Sequence, residues 1–248
     1  MADRAAVVTG AGSGIGRATV ERLLATGADV IAVDIVRTAG PSLEAAGAHF
    51  VQADVSDPIG RAEIVGAARG LSRMDYLVNA AGVIGVSKPL EVTLDAWRRV
   101  FSVNVEGLYF LCQALAPVIA DGGAIVNMSS SSAKLATTIE VAPYAATKAA
   151  VLSITRSLAY TLAPRRIRVN AICPGIVDTP MERSVLEGVG RVRGIPVEEL
   201  SAARDHSVPL GRGSVPAECA AAIAFLLSDD AAYITGEAMN FSGGQVVW

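Results

Sequence analysis

The stretch Gly10-Ala11-Gly12-Ser13-Gly14-Ile15-Gly16 follows directly on an apolar run and concentrates glycine as no other part of the chain does. Glycines so placed permit a tight turn, let backbone N–H groups approach a phosphate, and let a following helix pack closely on the strand before it. The spacing is T-G-x-x-x-G-x-G from Thr9 to Gly16, not G-x-G-x-x-G, because Ile15 and Arg17 stand where a third glycine would be needed. Between a strand and a helix, such a turn aims the positive end of the helix dipole at a pyrophosphate. About twenty residues on, the next β-branched run ends in Asp34, whose carboxylate can accept hydrogen bonds from both adenosine ribose hydroxyls and repels a 2′-phosphate. No basic side chain stands among Ala11, Gly12 and Ser13, and Arg37 reads as a solvated loop residue. The pattern predicts a dinucleotide cofactor, NAD in preference to NADP. A second pair lies farther along: Tyr144 and Lys148, four residues apart, share one face of a helix. A phenol of pKa ~10 is about one part in a thousand ionised at neutral pH, and lowering it by ~3 units takes ~4 kcal/mol. A neighbouring ammonium is one source of that energy.

The frame that must hold these groups is an alternation of short β-branched runs with longer amphipathic stretches. Strands are expected at 5–9, 29–34, 49–53, 74–79, 124–128, 168–172 and 238–241. Helices are expected near 15–26, 59–71, 94–120 with a break at Asn104, 144–162 and 217–227. Several strands are apolar throughout, as in a sheet buried on both faces. The fold class is therefore α/β, a doubly wound parallel sheet of about seven strands with helices on both faces, Rossmann-like. No repeat or long linker divides the chain, so one domain spanning 1–248 is expected. Only 178–214 breaks the rhythm; it is polar, carries glycine and proline, and shows no clear strand.

Composition removes other chemistries. The 248 residues are 52% hydrophobic and 18% charged with a net charge of −3, which excludes disorder and any general attraction to nucleic acid or anionic lipid. No apolar stretch reaches the ~20 residues that span a bilayer, and no signal peptide is visible, so a cytoplasmic location is expected. Cys112, Cys173 and Cys219 are widely spaced and read as small buried apolar groups, without disulfide or zinc. With His49 and His206 the only histidines, neither beside a nucleophile-elbow sequence, a metal site and a hydrolytic triad are not expected.

With these motifs in place, the chain resembles the short-chain dehydrogenases/reductases along nearly its whole length, through to Tyr233-Ile234-Thr235-Gly236 and Gly243-Gly244. The resemblance places the cofactor against Gly10, Ser13, Gly14, Ile15, Gly16 and Asp34. It adds Asp54 and Val55 at the adenine, and Asn79, Ala81 and Gly82 from Asn79-Ala80-Ala81-Gly82, where the family's second Asn is missing. The segment Pro174-Gly175-Ile176-Val177-Asp178-Thr179 resembles the family's carboxamide clamp, implicating Pro174, Gly175, Val177 and Thr179. Catalysis is implied for Asn104, which kinks its helix and holds a relay water, and for Ser130, Tyr144 and Lys148. Strand register selects Ser130 from the run 129–132, while the family's gap to the tyrosine selects Ser131; Ser130 is preferred.

In such an enzyme Tyr144 removes the hydroxyl proton as hydride leaves carbon, and Lys148 with the positive nicotinamide ring lowers the phenol's pKa. Ser130 stabilises the alkoxide, and Lys148 also binds the nicotinamide ribose. The function implied is hydride exchange between NAD(H) and a small secondary alcohol or ketone, by a homo-oligomer that the family usually builds as a tetramer. The polar residues Thr137, Thr138 and Glu140 favour a polyol, sugar alcohol or vicinal diol. Alternatives are an NADP-linked ketoacyl reductase and a catalytically silent NAD-binding regulator. Finally, 180–207 is expected to be a mobile lid over substrate, with Gly188, Gly190 and Gly194 easing rearrangement and no large apolar side chain anchoring it.

Overall fold

The computed structural model describes residues 3–247. Its strands are β1 (Ala5–Thr9), β2 (Asp29–Asp34), β3 (His49–Gln52), β4 (Met74–Asn79), β5 (Ile119–Met128), β6 (Arg168–Pro174) and β7 (Ala238–Phe241). They pair in parallel, in the order β3-β2-β1-β4-β5-β6-β7. Strand alternation divides the core into two layers. Val7, Ile31, Leu77 and Ile125 meet α3 (Pro58–Arg69), α5 (Leu108–Leu115) and α6 (Ala142–Leu162) through Ile64, Leu111 and Val151. Ala6, Val8, Val30 and Val126 face the other way, toward α1 (Gly14–Leu24) and α9 (Pro216–Leu227), which contribute Val20, Leu23, Ile223 and Leu227. The doubly wound α/β reading holds. The strand order reverses between β1 and β4, the point at which such sheets open a crevice at their carboxyl ends.

Three departures from expectation bear on the site. First, β5 starts at Ile119 and runs through Asp121-Gly122-Gly123, with a register shift against β4 between Met74 and Tyr76. The expected helix to residue 120 therefore ends at Leu115; Gly122, at φ +80°, carries a conformation that reads in sequence as a turn. Second, the break at Asn104 is a π-helical turn, Ser102–Gly107, between α4 (Leu94–Phe101) and α5. Such turns insert a residue and re-aim the side chains around them.

Third, the segment after 179 is not irregular. It forms α7 (Pro180–Arg193) and α8 (Val197–His206). Thr179 caps α7 by accepting the Glu182 N–H at 3.2 Å, Pro180 occupies its first turn, and Gly194, at φ +70°, closes it. The glycines within α7 serve packing. A Cβ at Gly188 would lie 2.8 Å from Val86, and one at Gly190 2.8 Å from the Ile195 carbonyl. Val185 and Val189, one helical turn apart, pack with Val141, Ile84 and Tyr144, giving the cover the apolar anchor that the sequence reading denied it. A short helix α2 (Gly40–Ala45), also unanticipated, follows β2. No helix among the described residues is long and apolar enough to cross a membrane.

Candidate active site

A cleft of about 790 Å³ opens where the carboxyl ends of β1 and β4 diverge. The turn from β1 into α1 lines it, built so tightly at Gly10 and Gly16 that a side chain there would meet backbone. A Cβ on Gly16 would sit 2.1 Å from the Gly10 carbonyl oxygen, and one on Gly10, at φ +66°, 2.7 Å from the Ala81 nitrogen. Gly12 lies against Asp34, whose Oδ2 accepts the Gly12 N–H at 2.7 Å and whose Oδ1 accepts the Val36 N–H at 2.8 Å. The acidic residue is thus fixed to the turn that presents the phosphate site. A glycine-rich turn, a helix N-terminus behind it and a clamped carboxylate fit a dinucleotide: pyrophosphate at the loop, ribose at Asp34.

Most residues named from the sequence line this cleft: Gly10, Ser13, Gly14, Ile15, Gly16, Asp34, Asp54, Val55, Ala81, Gly82, Ser130, Tyr144, Lys148, Pro174, Gly175, Val177 and Thr179. Asp54 is held by Ser56, which donates from its backbone at 2.8 Å and from its hydroxyl at 2.7 Å. Gly175 donates to the Phe241 carbonyl at 2.9 Å, tying the carboxamide segment to β7. Arg37 is exposed on a 3₁₀ turn and does not reach the cleft.

Asn79 and Asn104 do not line the cleft. Asn79 is buried between β4 and β5, donating to Asn127 Oδ1 at 2.8 Å and Cys112 Sγ at 3.2 Å, so it braces the sheet behind the cofactor wall. Asn104 Oδ1 accepts the Val83 N–H at 2.9 Å, and its Nδ2 donates to the Val83 carbonyl at 2.9 Å and Thr147 Oγ1 at 3.1 Å. Those bonds pin the π turn to the β4 loop and to α6.

On α6, Tyr144 and Lys148 share a face, with the ammonium 5.4 Å from the phenol ring centre. Lys148 Nζ donates to the Met128 carbonyl at 2.7 Å. Burial brings it down to about 8, from an ordinary 10.5. Burial also pushes the Tyr144 phenol up to about 12, and the Ser130 hydroxyl works in the opposite direction. The ammonium is itself desolvated and is bonded toward β5. The serines sort by their bonds. Ser129 Oγ donates to the Lys148 carbonyl at 2.8 Å, and Ser130 Oγ accepts the Ser132 N–H at 3.1 Å. Ser130 and Ser131 both line the cleft, and the Ser130 hydroxyl lies close enough to Tyr144 to oppose the effect of burial on the phenol.

The substrate end was misjudged in one respect and missed in another. Glu140 does not face the cleft; it is buried and accepts both Arg193 Nε at 2.7 Å and Nη2 at 2.8 Å, which holds its carboxyl below the usual range. The wall near Tyr144 is apolar, from Ile84, Val141, Val185, Leu186, Val189 and Leu200, with Thr137 and Thr138 beside it. The spacing of Val185 and Val189 was the available signal. Arg99, Glu182, Arg193, Arg204 and Gln245 also line the cleft and were not anticipated. His206 is exposed and absent from the lining, and the three cysteines are free and buried. Among the described residues no cluster of His, Cys, Asp or Glu could hold a metal.

A family model described as Enoyl-(Acyl carrier protein) reductase matches residues 10–245. Galactitol 2-dehydrogenase (L-tagatose-forming) of Cereibacter sphaeroides is 37% identical over 250 residues, covering 98% of this chain and 95% of that protein. Meso-2,3-butanediol dehydrogenase of Serratia marcescens is 35% identical over 248 residues, covering 98% and 94%. The crystal structure of a short-chain dehydrogenase/reductase (glucose/ribitol dehydrogenase) from Brucella melitensis superposes with a TM-score of 0.91 at 32% identity, covering 100% of this chain and 98% of that one.

Proposed function

The chain belongs to the short-chain dehydrogenase/reductase family, and on that premise we propose that it is an NAD-dependent alcohol dehydrogenase acting on a small secondary alcohol, or in reverse a reductase of the ketone. One observation carries the reading. Tyr144, Lys148 and Ser130 line a cleft that is also lined by a glycine-rich turn whose Gly12 N–H is held by Asp34. When bound, the nicotinamide dinucleotide exchanges the hydride and brings a positive ring charge to the site.

The protein supplies the proton path and the field. Tyr144 takes the hydroxyl proton at its phenolic oxygen during oxidation and returns it during reduction. Burial pushes that phenol up to about 12, so ionising it for the oxidation direction requires the positive charge of the nicotinamide ring and of Lys148. Ser130 hydrogen-bonds the substrate oxygen and stabilises it as an alkoxide. Lys148 binds the nicotinamide ribose and supplies charge near the phenol. Asn104 is a positioning residue, fixing α6 through Thr147. Relatives named for galactitol and butanediol support small alcohols as substrates. Exposed Trp97, Tyr109 and Phe110 on α4 and α5 support a homo-oligomer, a tetramer by the family's habit.

NAD rather than NADP is favoured by Asp34, whose carboxylate would repel a 2′-phosphate, and by an Arg37 that is exposed and not part of the cleft lining. The test is a panel of secondary alcohols, including polyols and vicinal diols, assayed with NAD⁺ and NADP⁺. Oxidation with a clear preference for NAD⁺, narrowed about tenfold or more by Asp34→Ala, is the expected result. Equal use of both coenzymes by the wild type would overturn the assignment to NAD; no oxidation with either would leave the silent-regulator reading.

A further inference from the structure

Two arginines of the α7–α8 cover line the cleft, and they are bound in different ways. Arg193 is a closed pair: its fork meets both oxygens of Glu140, a carboxylate whose side chain is 6% exposed. Arg204, near the end of α8, gives one hydrogen bond, from Nη1 to Glu182 Oε1, and its side chain is 25% exposed. A guanidinium carries five N–H donors, and the edge formed by Nε and Nη2 has no protein acceptor among the described residues. Those remaining donors are not sealed from solvent, and Arg204 lines the cleft, so an acceptor on a bound ligand can take the place of water there. A third guanidinium, Arg99, lines the same cleft without an ion-pair partner among the described residues. Between the arginines and Tyr144 the wall is apolar, through Val141, Val185, Leu186, Val189 and Leu200.

These features describe a ligand with an apolar body and an anionic end. We propose that Arg204 is a specificity-determining residue and that the preferred substrates are hydroxy acids, secondary alcohols whose carboxylate occupies the open edge of Arg204 while the hydroxyl meets Tyr144. The proposal rests on the alcohol dehydrogenase reading and narrows it. A carboxylate matches the guanidinium fork with two parallel bonds, and each charge-assisted bond formed out of water favours the anion over its neutral analogue. Glu182 competes for the same cation and keeps Arg204 in place when no substrate is present. Arg193, closed by Glu140, does not compete.

The experiment compares matched pairs: 3-hydroxybutanoate, 4-hydroxypentanoate and 5-hydroxyhexanoate against 2-butanol, 2-pentanol and 2-hexanol. In the wild type at least one acid should exceed its neutral partner in kcat/KM by about tenfold or more, mainly through KM. Arg204→Met should bring that ratio close to one, and Arg204→Lys should restore part of it. Glu182→Gln removes the competing charge and should lower KM for the acid further, which a merely structural pairing of α7 with α8 would not do. Neutral alcohols that equal the acids in the wild type would overturn the proposal. So would an Arg204→Met variant that lowers both members of each pair alike, or that raises KM for the coenzyme instead. If neither acids nor alcohols are oxidised with either coenzyme, the dehydrogenase reading itself has failed, which is distinct from neutral alcohols being used while acids gain nothing.

Discussion

At Gly10 and Gly16 of the phosphate loop the nearest neighbours are main-chain atoms, whereas Val185 and Val189 of α7 pack against side chains. A Cβ at Gly16 would meet the Gly10 carbonyl and one at Gly10 would meet the Ala80–Ala81 peptide, so that wall of the cleft tolerates almost no substitution. The cover is held instead by two valines against Val141 and by the closed Arg193–Glu140 pair. A group common to every dinucleotide can be gripped by backbone, whose N–H groups do not change with sequence. A substrate that differs from enzyme to enzyme needs side chains that can be exchanged without disturbing the sheet. The two halves of the cleft therefore carry different kinds of information, constancy in one and choice in the other.

The largest expected effect falls on the backbone-built side. Gly16→Ala should cost about 3 kcal/mol in chemical denaturation, the upper end of overpacking, and abolish dinucleotide binding. Gly66→Ala, in an exposed part of α3 with nothing within 4 Å of the new methyl, should instead gain about 0.5–1 kcal/mol. Equal outcomes would break the contrast between constrained and incidental glycines. Next comes Lys148, where the two halves meet. Its folded pKa of about 8 lies below the ordinary 10.5, so between those values the unfolded chain binds a proton that the folded chain does not. Stability of the cofactor-free protein should rise across that window through this group, by roughly 3 kcal/mol at most, and Lys148→Met should flatten the rise. A curve unchanged by the substitution would contradict the burial argument. The smallest effect is on the cover. Arg193→Met leaves Glu140 buried without its partner and should cost about 2 kcal/mol while raising KM for substrate. Its dinucleotide affinity, measured by NADH fluorescence, should not change; a matching loss there would show the two halves coupled and remove the distinction.

The same contrast decides what could be read before the structure. The loop, Asp34 and the Tyr144–Lys148 spacing were legible because backbone geometry forces glycine, and helical periodicity forces a four-residue separation. The sheet was legible because its strands are buried on both faces. The cover was not. Its glycines at 188 and 190 read as freedom to move, yet they face Val86 and the Ile195 carbonyl, contacts invisible in the local pattern. Helix signals were nonetheless present, in the T-x-x-E of Thr179 and Glu182 and in Gly194. Glu140 read as substrate polarity because its partner, Arg193, lies 53 residues away. The early start of β5 was hidden by Gly122-Gly123, which locally describe a turn and only in the sheet a strand with a register shift.

The account turns on Tyr144 as the proton-transferring group of an oxidoreductase, and one variant addresses it directly. Tyr144→Phe removes a hydroxyl that lines the cleft beside Ser130 and leaves the loop, Asp34 and Lys148 in place. Turnover with the best alcohol of the panel should fall at least ~100-fold, the scale of acid–base catalysis, while NADH binding measured by fluorescence stays within about twofold of wild type. Turnover near the wild-type value, with NADH still bound, would contradict the central claim.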